Sequence, residues 1–340
     1  MAGYAGWIPQ VQTKYLIQGL FSEPIFQQLL ATGIMDIDGL QDLVLKGDFI
    51  TIPQALYPDD FQAVDLTSTA PYTGTRVNTV NAHAPVLRRF TAMSFTEHDD
   101  IRTNENWREL LAMQVGNKVA KDVIQELNAA LQGALNVPGL NHIRAEDGAI
   151  TVQDIRASKR LMGDQGGYVD TMLIHPDVWS DLFYDITTNY KYSGNLSGTW
   201  LENQTFQSLF GVSNVVISQD LAPVGGNSSE TLDSSGSKYY TYLFKKHQNQ
   251  DMLQNGQPIY FGYQRSPSYS EFLDSRVPSS LVQPKWNMDF VLGVRGMSFT
   301  SSIVNPAKTD LATSANWSIA TSDTRNVGVV AITSRGAVQG

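Results

Sequence analysis

Residues 104–135 read NENWRELLAMQVGNKVAKDVIQELNAALQGAL, and their spacing predicts one long helix. Thr103 or Asn104 can cap it, and Glu105 and Glu109 suit the positive N-terminal end of a helix dipole. Asn136, Pro138 and Gly139 stop it. At about 1.5 Å per residue such a helix runs roughly 48 Å, longer than many domains are wide. Its apolar residues Leu111, Val115, Val119, Val123, Leu127, Leu131 and Leu135 recur every four positions. Four residues turn about 400°, so the stripe drifts about 40° per step and winds more than halfway around the helix. The helix therefore offers its apolar line to different neighbours along its length. The 3.5-residue period of a coiled coil is not met.

The segments before the helix cannot fold alone. Residues 46–98 carry alternating β patterns at Asp48-Phe49-Ile50-Thr51-Ile52-Pro53, at 76–83 and at 87–95. Turn formers lie between them, from Tyr57-Pro58-Asp59-Asp60 to Pro71-Tyr72-Thr73-Gly74. This predicts a long two-stranded excursion, and an isolated hairpin is marginal in water. Residues 1–45 hold short apolar clusters, Trp7-Ile8, Tyr15-Leu16-Ile17, Ile25-Phe26 and Leu29-Leu30, set between Gly, Pro and Gln. They read as an arm that must lie on the rest of the fold or on a neighbour.

After the helix, α and β elements alternate. Thr151-Val152-Gln153-Asp154 has the form of a capping box with Asp in the Glu place. A strand is expected over 169–174, and a helix with Pro176 at its first position. A further helix is expected at about 200–209, then a strand at 215–217 and a 15-residue Gly/Ser/Asn loop over 223–237. Strands are expected over 239–244, 259–263, 290–299 and 327–332.

Composition narrows the class. The 340 residues carry 24 basic and 33 acidic side chains, a net charge of −9, which argues against a DNA-wrapping or polybasic membrane protein. Cysteine is absent, which removes disulfides, thiolate nucleophiles and Cys-type metal sites. Charged residues make up 17%, against about 25% in average proteins. Mean hydropathy is −0.20, so uncharged polar residues and Tyr replace the charge rather than aliphatics. Interfaces are depleted in Lys, Glu and Asp and enriched in aromatics, so this composition suits a surface that meets other subunits. The first thirty residues hold no signal peptide, and no run approaches 18 apolar residues. The sequons at Asn195, Asn203, Asn227 and Asn316 then read as chance.

No catalytic constellation emerges. There is no P-loop and no nucleophile elbow; Gly194-Asn195-Leu196-Ser197-Gly198 has the wrong spacing. Gly163-Asp164-Gln165-Gly166-Gly167 reads as a helix stop. The five histidines form no H-x-x-x-H pair. His98-Asp99-Asp100 suits a helix N-terminus, and His175 suits a cap or a packed core position. No catalytic residue, metal or cofactor is expected. The candidate intersubunit contacts are Trp7 of the arm, Tyr57, Asp59, Asp60 and Tyr72 of the excursion's tip, and a basic spot of Arg76, Arg88 and Arg89.

The order of elements resembles the major capsid protein of tailed bacteriophages, the Hong Kong ninety-seven fold. Lys46 to Pro53 is similar to the strand entering that family's extended loop, and Asn104 to Asn136 to its spine helix. Met172-Leu173-Ile174-His175-Pro176-Asp177-Val178-Trp179 is similar to a strand-to-helix step of its axial domain. Gly211 to Ser218 is similar to the helix end and strand that follow. Asn305 to Ala312, Asn316-Trp317 and Asn326 to Val330 resemble the closing segment of one subfamily.

The resemblance implies an α+β chain divided into an N-terminal arm (1–45), an extended β-hairpin loop (46–98) and a peripheral domain with the spine helix (99–148). An axial domain (149–284) and returning peripheral strands with a C-terminal segment (285–340) complete it. It implies a structural protein that assembles in host cytoplasm into hexamers and pentamers around packaged double-stranded DNA. Portal and scaffolding partners and a decoration protein come with it, and no membrane. The covalent cross-link of some relatives uses a loop lysine, and none lies between Lys46 and Arg102. A chain beginning at Met1 is expected to lose no prodomain. Three rivals remain: an encapsulin-type compartment shell, a hydrolase using loop carboxylates, and a fibre or adhesin.

Overall fold

A computed structural model describes residues 9–36, 49–55, 79–92, 95–96, 107–189, 211–221, 238–245, 257–274, 281–321 and 324–336. The N-terminal stretch folds as two helices, α1 (Pro9–Ser22) and α2 (Pro24–Ala31). Pro24 takes the first position of α2, where its missing N–H costs nothing. Strand β1 (Met35–Asp36) follows, then β2 (Phe49–Ala55), β3 (Thr79–Ala92) and β4 (Phe95–Thr96). The long helix, α3, spans Trp107–Leu135, and 29 residues give it a length of about 43 Å.

The chain continues through β5 (Ile143–Ala149), α4 (Val152–Arg160), β6 (Val169–Ile174), α5 (Pro176–Asn189) and β7 (Asn214–Ile217). Then come β8 (Lys238–Lys245), β9 (Ile259–Asp274), β10 (Leu281–Val294) and β11 (Met297–Phe299). A short helix α6 (Lys308–Ala312), β12 (Trp317–Ile319) and β13 (Val329–Arg335) close it. The expected helix at 200–209 and the loop at 223–237 lie outside the described residues.

Among the described residues the strands form three sheets. The first runs β1-β9-β10-β3-β2, with β4 beside β10. The second runs β5-β13-β8-β6-β7, and β11 pairs with β12. The central strands of the second sheet are buried on both faces, and side-chain alternation shows it. Tyr240, Tyr242 and Phe244 of β8 join the core around α3, whereas Tyr239 and Leu243 join a second core with Ile155 of α4 and Leu182 of α5. Val329 and Ala331 of β13 divide from Val330 and Ile332 in the same way. The buried Tyr242 hydroxyl donates to Asn128 Oδ1 of α3 at 2.6 Å, and Asn136 Nδ2 donates to the Tyr240 hydroxyl at 2.9 Å.

The winding stripe on α3 meets different partners, as its period requires. Val115 packs with Leu16 of α1 and with Tyr269 and Trp286 of the first sheet. Leu127, Leu131 and Leu135 lie in the main core with the second sheet, Leu311 and Trp317. The N-terminal stretch docks on its own chain: Phe26 and Leu29 have no exposed surface. Two glycines permit that docking. A Cβ on Gly116 would fall 2.3 Å from Leu16 O, and one on Gly19 would fall 2.2 Å from Met113 O.

Local signals fix several boundaries. Thr151 and Asp154 form the capping box, with Thr151 N donating to Asp154 Oδ2 at 2.9 Å. The strand expected over 290–299 is two strands, because Gly296 at φ +76° turns the chain between β10 and β11. The strands at 259 and 290 also extend further than expected and pair along most of their length, Ile259↔Val294 through Asp274↔Leu281. Strand β5 was not anticipated. Its sequence IRAEDGA has no alternation, and its parallel partner β13 lies far along the chain.

Candidate functional site

The excursion is a true hairpin at its root. Strand β2 pairs antiparallel with β3 from Phe49↔Pro85 to Ala55↔Thr79. From Val86 to Ala92 the same β3 pairs with β10 instead. One continuous strand thus belongs both to the two-stranded ribbon and to the larger sheet. The ribbon's root is anchored by Ile50, Ala84 and Val86, which pack on Tyr260 and Val291. Trp7, Tyr57, Asp59, Asp60, Tyr72 and Arg76 lie outside the described residues.

Arg88 and Arg89 do not form one basic spot, because successive residues of a strand face opposite sides. Arg88 is exposed, and its backbone N–H donates to Asn305 Oδ1 at 2.8 Å. Arg89 turns inward and is engaged within the chain. Its Nε donates to Glu126 Oε1 of α3 at 2.5 Å, one Nη to Asn305 Oδ1 at 2.6 Å and the other to the Pro306 carbonyl at 2.8 Å. The guanidinium fork therefore ties the hairpin strand, the long helix and the loop before α6.

Glu126 is 1% exposed. Burial raises its carboxyl pKa above the usual range, although Arg89 and Lys308 pull it down. Its Oε2 has no hydrogen-bond partner. Lys308 Nζ donates to Gln125 Oε1 at 2.6 Å and to Asp122 Oδ1 at 3.2 Å, so a second cation fastens the same stretch of α3 to α6. Sequence reading passed over Glu126. The signal was present: a carboxylate three residues from Val123 and next to Leu127 sits on the flank of an apolar stripe.

His175 is the helix cap expected. Its Nδ1 accepts the Asp177 backbone N–H at 3.3 Å, and its ring stacks on Tyr239 at 3.9 Å. Burial lowers its pKa, which keeps the ring neutral and able to accept. His142 Nδ1 bonds the Val329 carbonyl at 3.0 Å inside the core. Among the described residues no group of three His, Asp or Glu side chains could hold a metal, and no helix is long and apolar enough to cross a membrane.

A docked N-terminal stretch, a ribbon leaving the body on a shared strand, a long winding helix and a sheet with doubly covered central strands make up this architecture. Residues 91–279, more than half of the chain, match the family described as phage capsid protein, and the chain belongs to it. It is a structural protein of a capsid shell, not an enzyme, and its place is the virion capsid.

Solved structures agree on the fold. A chain of the cyanophage Pam1 capsid aligns at 12% identity over 89% of each chain, with a TM-score of 0.53. The capsid of Ralstonia phage GP4 aligns at 9% identity over 90% of this chain and 87% of that one, with a TM-score of 0.56. The holo-SrpI encapsulin complex from Synechococcus elongatus aligns at 14% identity over 87% and 85%, with a TM-score of 0.50. No curated protein matches the chain by sequence.

Proposed function

We propose that this chain is a major capsid protein whose copies form hexamers and pentamers that close into an icosahedral shell around packaged double-stranded DNA. The observation that supports this most directly, within a capsid family, is the ribbon of β2 and β3. A two-stranded ribbon is marginal by itself in water, so beyond the root anchored on its own chain it would gain stability by lying on another copy. Contacts of that head-to-tail kind close into rings.

The interchain contacts are assigned to Trp7, Tyr57, Asp59, Asp60, Tyr72, Arg76 and Arg88. Arg89 is set aside, because its donors are engaged within the chain. The arm, extended loop, peripheral domain with its spine helix, and axial domain are the working divisions of the subunit. Assembly takes place in host cytoplasm with portal and scaffolding proteins, and a decoration protein can join the finished shell. The net charge of −9 suits weak, non-specific contact with the genome, since strong binding needs clustered cations.

Negative-stain imaging of the expressed chain should show rings or shells, and a clean monomer at high concentration would overturn the reading. An encapsulin-type compartment is the second reading, favoured by the fold likeness to the encapsulin chain. Particles from phage-infected cells that protect DNA from nuclease support the first reading; particles filled with protein support the second.

A further inference from the structure

Among the described residues β5 is an edge strand of the second sheet, and its ladder with β13 breaks near the end. Ala145 pairs with Thr333 and Ala149 with Arg335, so Glu146, Asp147 and Gly148 stand against Ser334 alone. A bulge of this kind leaves its extra residues unpaired and bends the strand. The Asp147 side chain is 94% exposed. Gly148 has open space where a Cβ would sit, with no atom within 4 Å. Lys238 Nζ, at the start of β8, ties the bulge down by donating to Asp147 Oδ1 at 2.6 Å.

We propose that Asp147-Gly148 is a site of spontaneous covalent modification, where aspartate isomerises to isoaspartate, and that Lys238 restrains it. The inference goes beyond the shell reading and does not depend on it. The Gly148 amide nitrogen attacks Cγ of Asp147 and closes a succinimide ring. The amide proton and the carboxyl OH leave together as one water. Water then re-enters at either ring carbonyl. Entry at Cγ restores aspartate. Entry at the α-carbonyl leaves the main chain running through Cγ, as isoaspartate of unchanged mass.

Each requirement of ring closure is met at this pair. A side chain on the following residue hinders the attack, and glycine has none. The backbone must leave its extended form, and the bulge lies outside the regular ladder. The carboxyl must be neutral, because a carboxylate has no hydroxyl to lose. Here charge opposes the reaction. The hydrogen bond and charge of Lys238 hold the Asp147 carboxyl below its usual pKa, and Arg335 of β13 adds to this. The neighbouring acids do not cancel that effect: Glu146 and Asp154 both answer Arg144. The neutral acid is therefore scarce at neutral pH and grows as pH falls. Isoaspartate lengthens the main chain by a methylene and re-aims the carboxylate, so the tie from β5 to β8 is lost.

The test is mass spectrometry of the full chain after prolonged incubation at about pH 5, just above the ordinary aspartate pKa of about 3.9. Electron-transfer fragmentation distinguishes isoaspartate by its own fragment ions and should place it at position 147. Asp38-Gly39 in the same chain serves as an internal reference for the conditions. Lys238→Ala should raise the rate at 147 several-fold, whereas Lys238→Arg, which keeps the charge, should hold it slow. Gly148→Ala should all but stop the reaction, and its Cβ meets no atom and no left-handed backbone. Isoaspartate at 38 with none at 147 overturns the proposal, and so does its absence at 147 from both the unmodified chain and Lys238→Ala. Equal rates in the unmodified chain and Lys238→Ala, or equally fast rates in Lys238→Ala and Lys238→Arg, overturn the restraint assigned to Lys238. Each of these results leaves the shell reading untouched.

Discussion

Glu126 is the residue at which this chain accepts a cost. A carboxylate 1% exposed, with one oxygen unpartnered, stands opposite a single guanidinium. Removing one partner of such a pair strands a buried charge, so Arg89→Ala should cost about 3–5 kcal/mol in urea unfolding. Glu126→Gln keeps an acceptor for Arg89 and removes the charge, so it should change stability by no more than about 1 kcal/mol.

The pH dependence has a defined sign. A carboxyl whose pKa is raised in the folded state contributes stability that is complete below its unfolded pKa and is lost as pH rises through the folded value. With Arg89 gone, only the more distant Lys308 opposes the cost of the buried charge at neutral pH. The penalty of Arg89→Ala should therefore shrink between about pH 7 and about pH 4.5, as Glu126 takes up a proton. A penalty that stays constant across that range would show that Arg89 acts only through Asn305 and Pro306.

Among elements, the crossing of α1 over α3 is a close one. Gly116 and Gly19 bring two backbones so close that a methyl group on either would strike a carbonyl. Gly116→Ala should cost about 1–3 kcal/mol by overpacking, even though alanine is the better helix former. Limited proteolysis of that variant should cut within residues 9–31 before it cuts α3.

The same crossing shows what a sequence does and does not disclose. The four-residue spacing of Leu111 to Leu135 announced both the helix and its changing partners, because periodicity is a local property. Thr151 with Asp154 and Pro176 likewise announced their helices within a few residues. The pairing of β5 with β13 and the long union of β9 with β10 could not be read that way. Their stability comes from partners distant in sequence, and Pro284 inside β10 disguised the strand. For the site, the acidic loop and the arginines were legible as residue types. The inward turn of Arg89 was not, because which face of a strand is buried depends on β10 and α3.

At the scale of the whole molecule, the body and the hairpin tip are separable in their demands. The cores around α3 and around α4 and α5 are built, among the described residues, from helices and sheets of the body. Deleting 57–74 should leave circular dichroism and the urea midpoint close to those of the intact chain while abolishing particles in the electron microscope. Unchanged assembly would refute the role given to the loop. The charge-poor composition suits a chain whose surface meets other subunits of a shell.

Because β3 runs unbroken from the ribbon into the sheet, a pull on the tip is not borne one hydrogen bond at a time. The rungs from Val86 to Ala92 lie perpendicular to the strand and share such a load in shear. Arg89 pins the same stretch to the long helix. The subunit is thus a lever with its fulcrum built into one strand. A shell made of such levers would pass internal pressure from copy to copy through backbone hydrogen bonds, and its weakest point would be the seat of the tip rather than the arm that carries it.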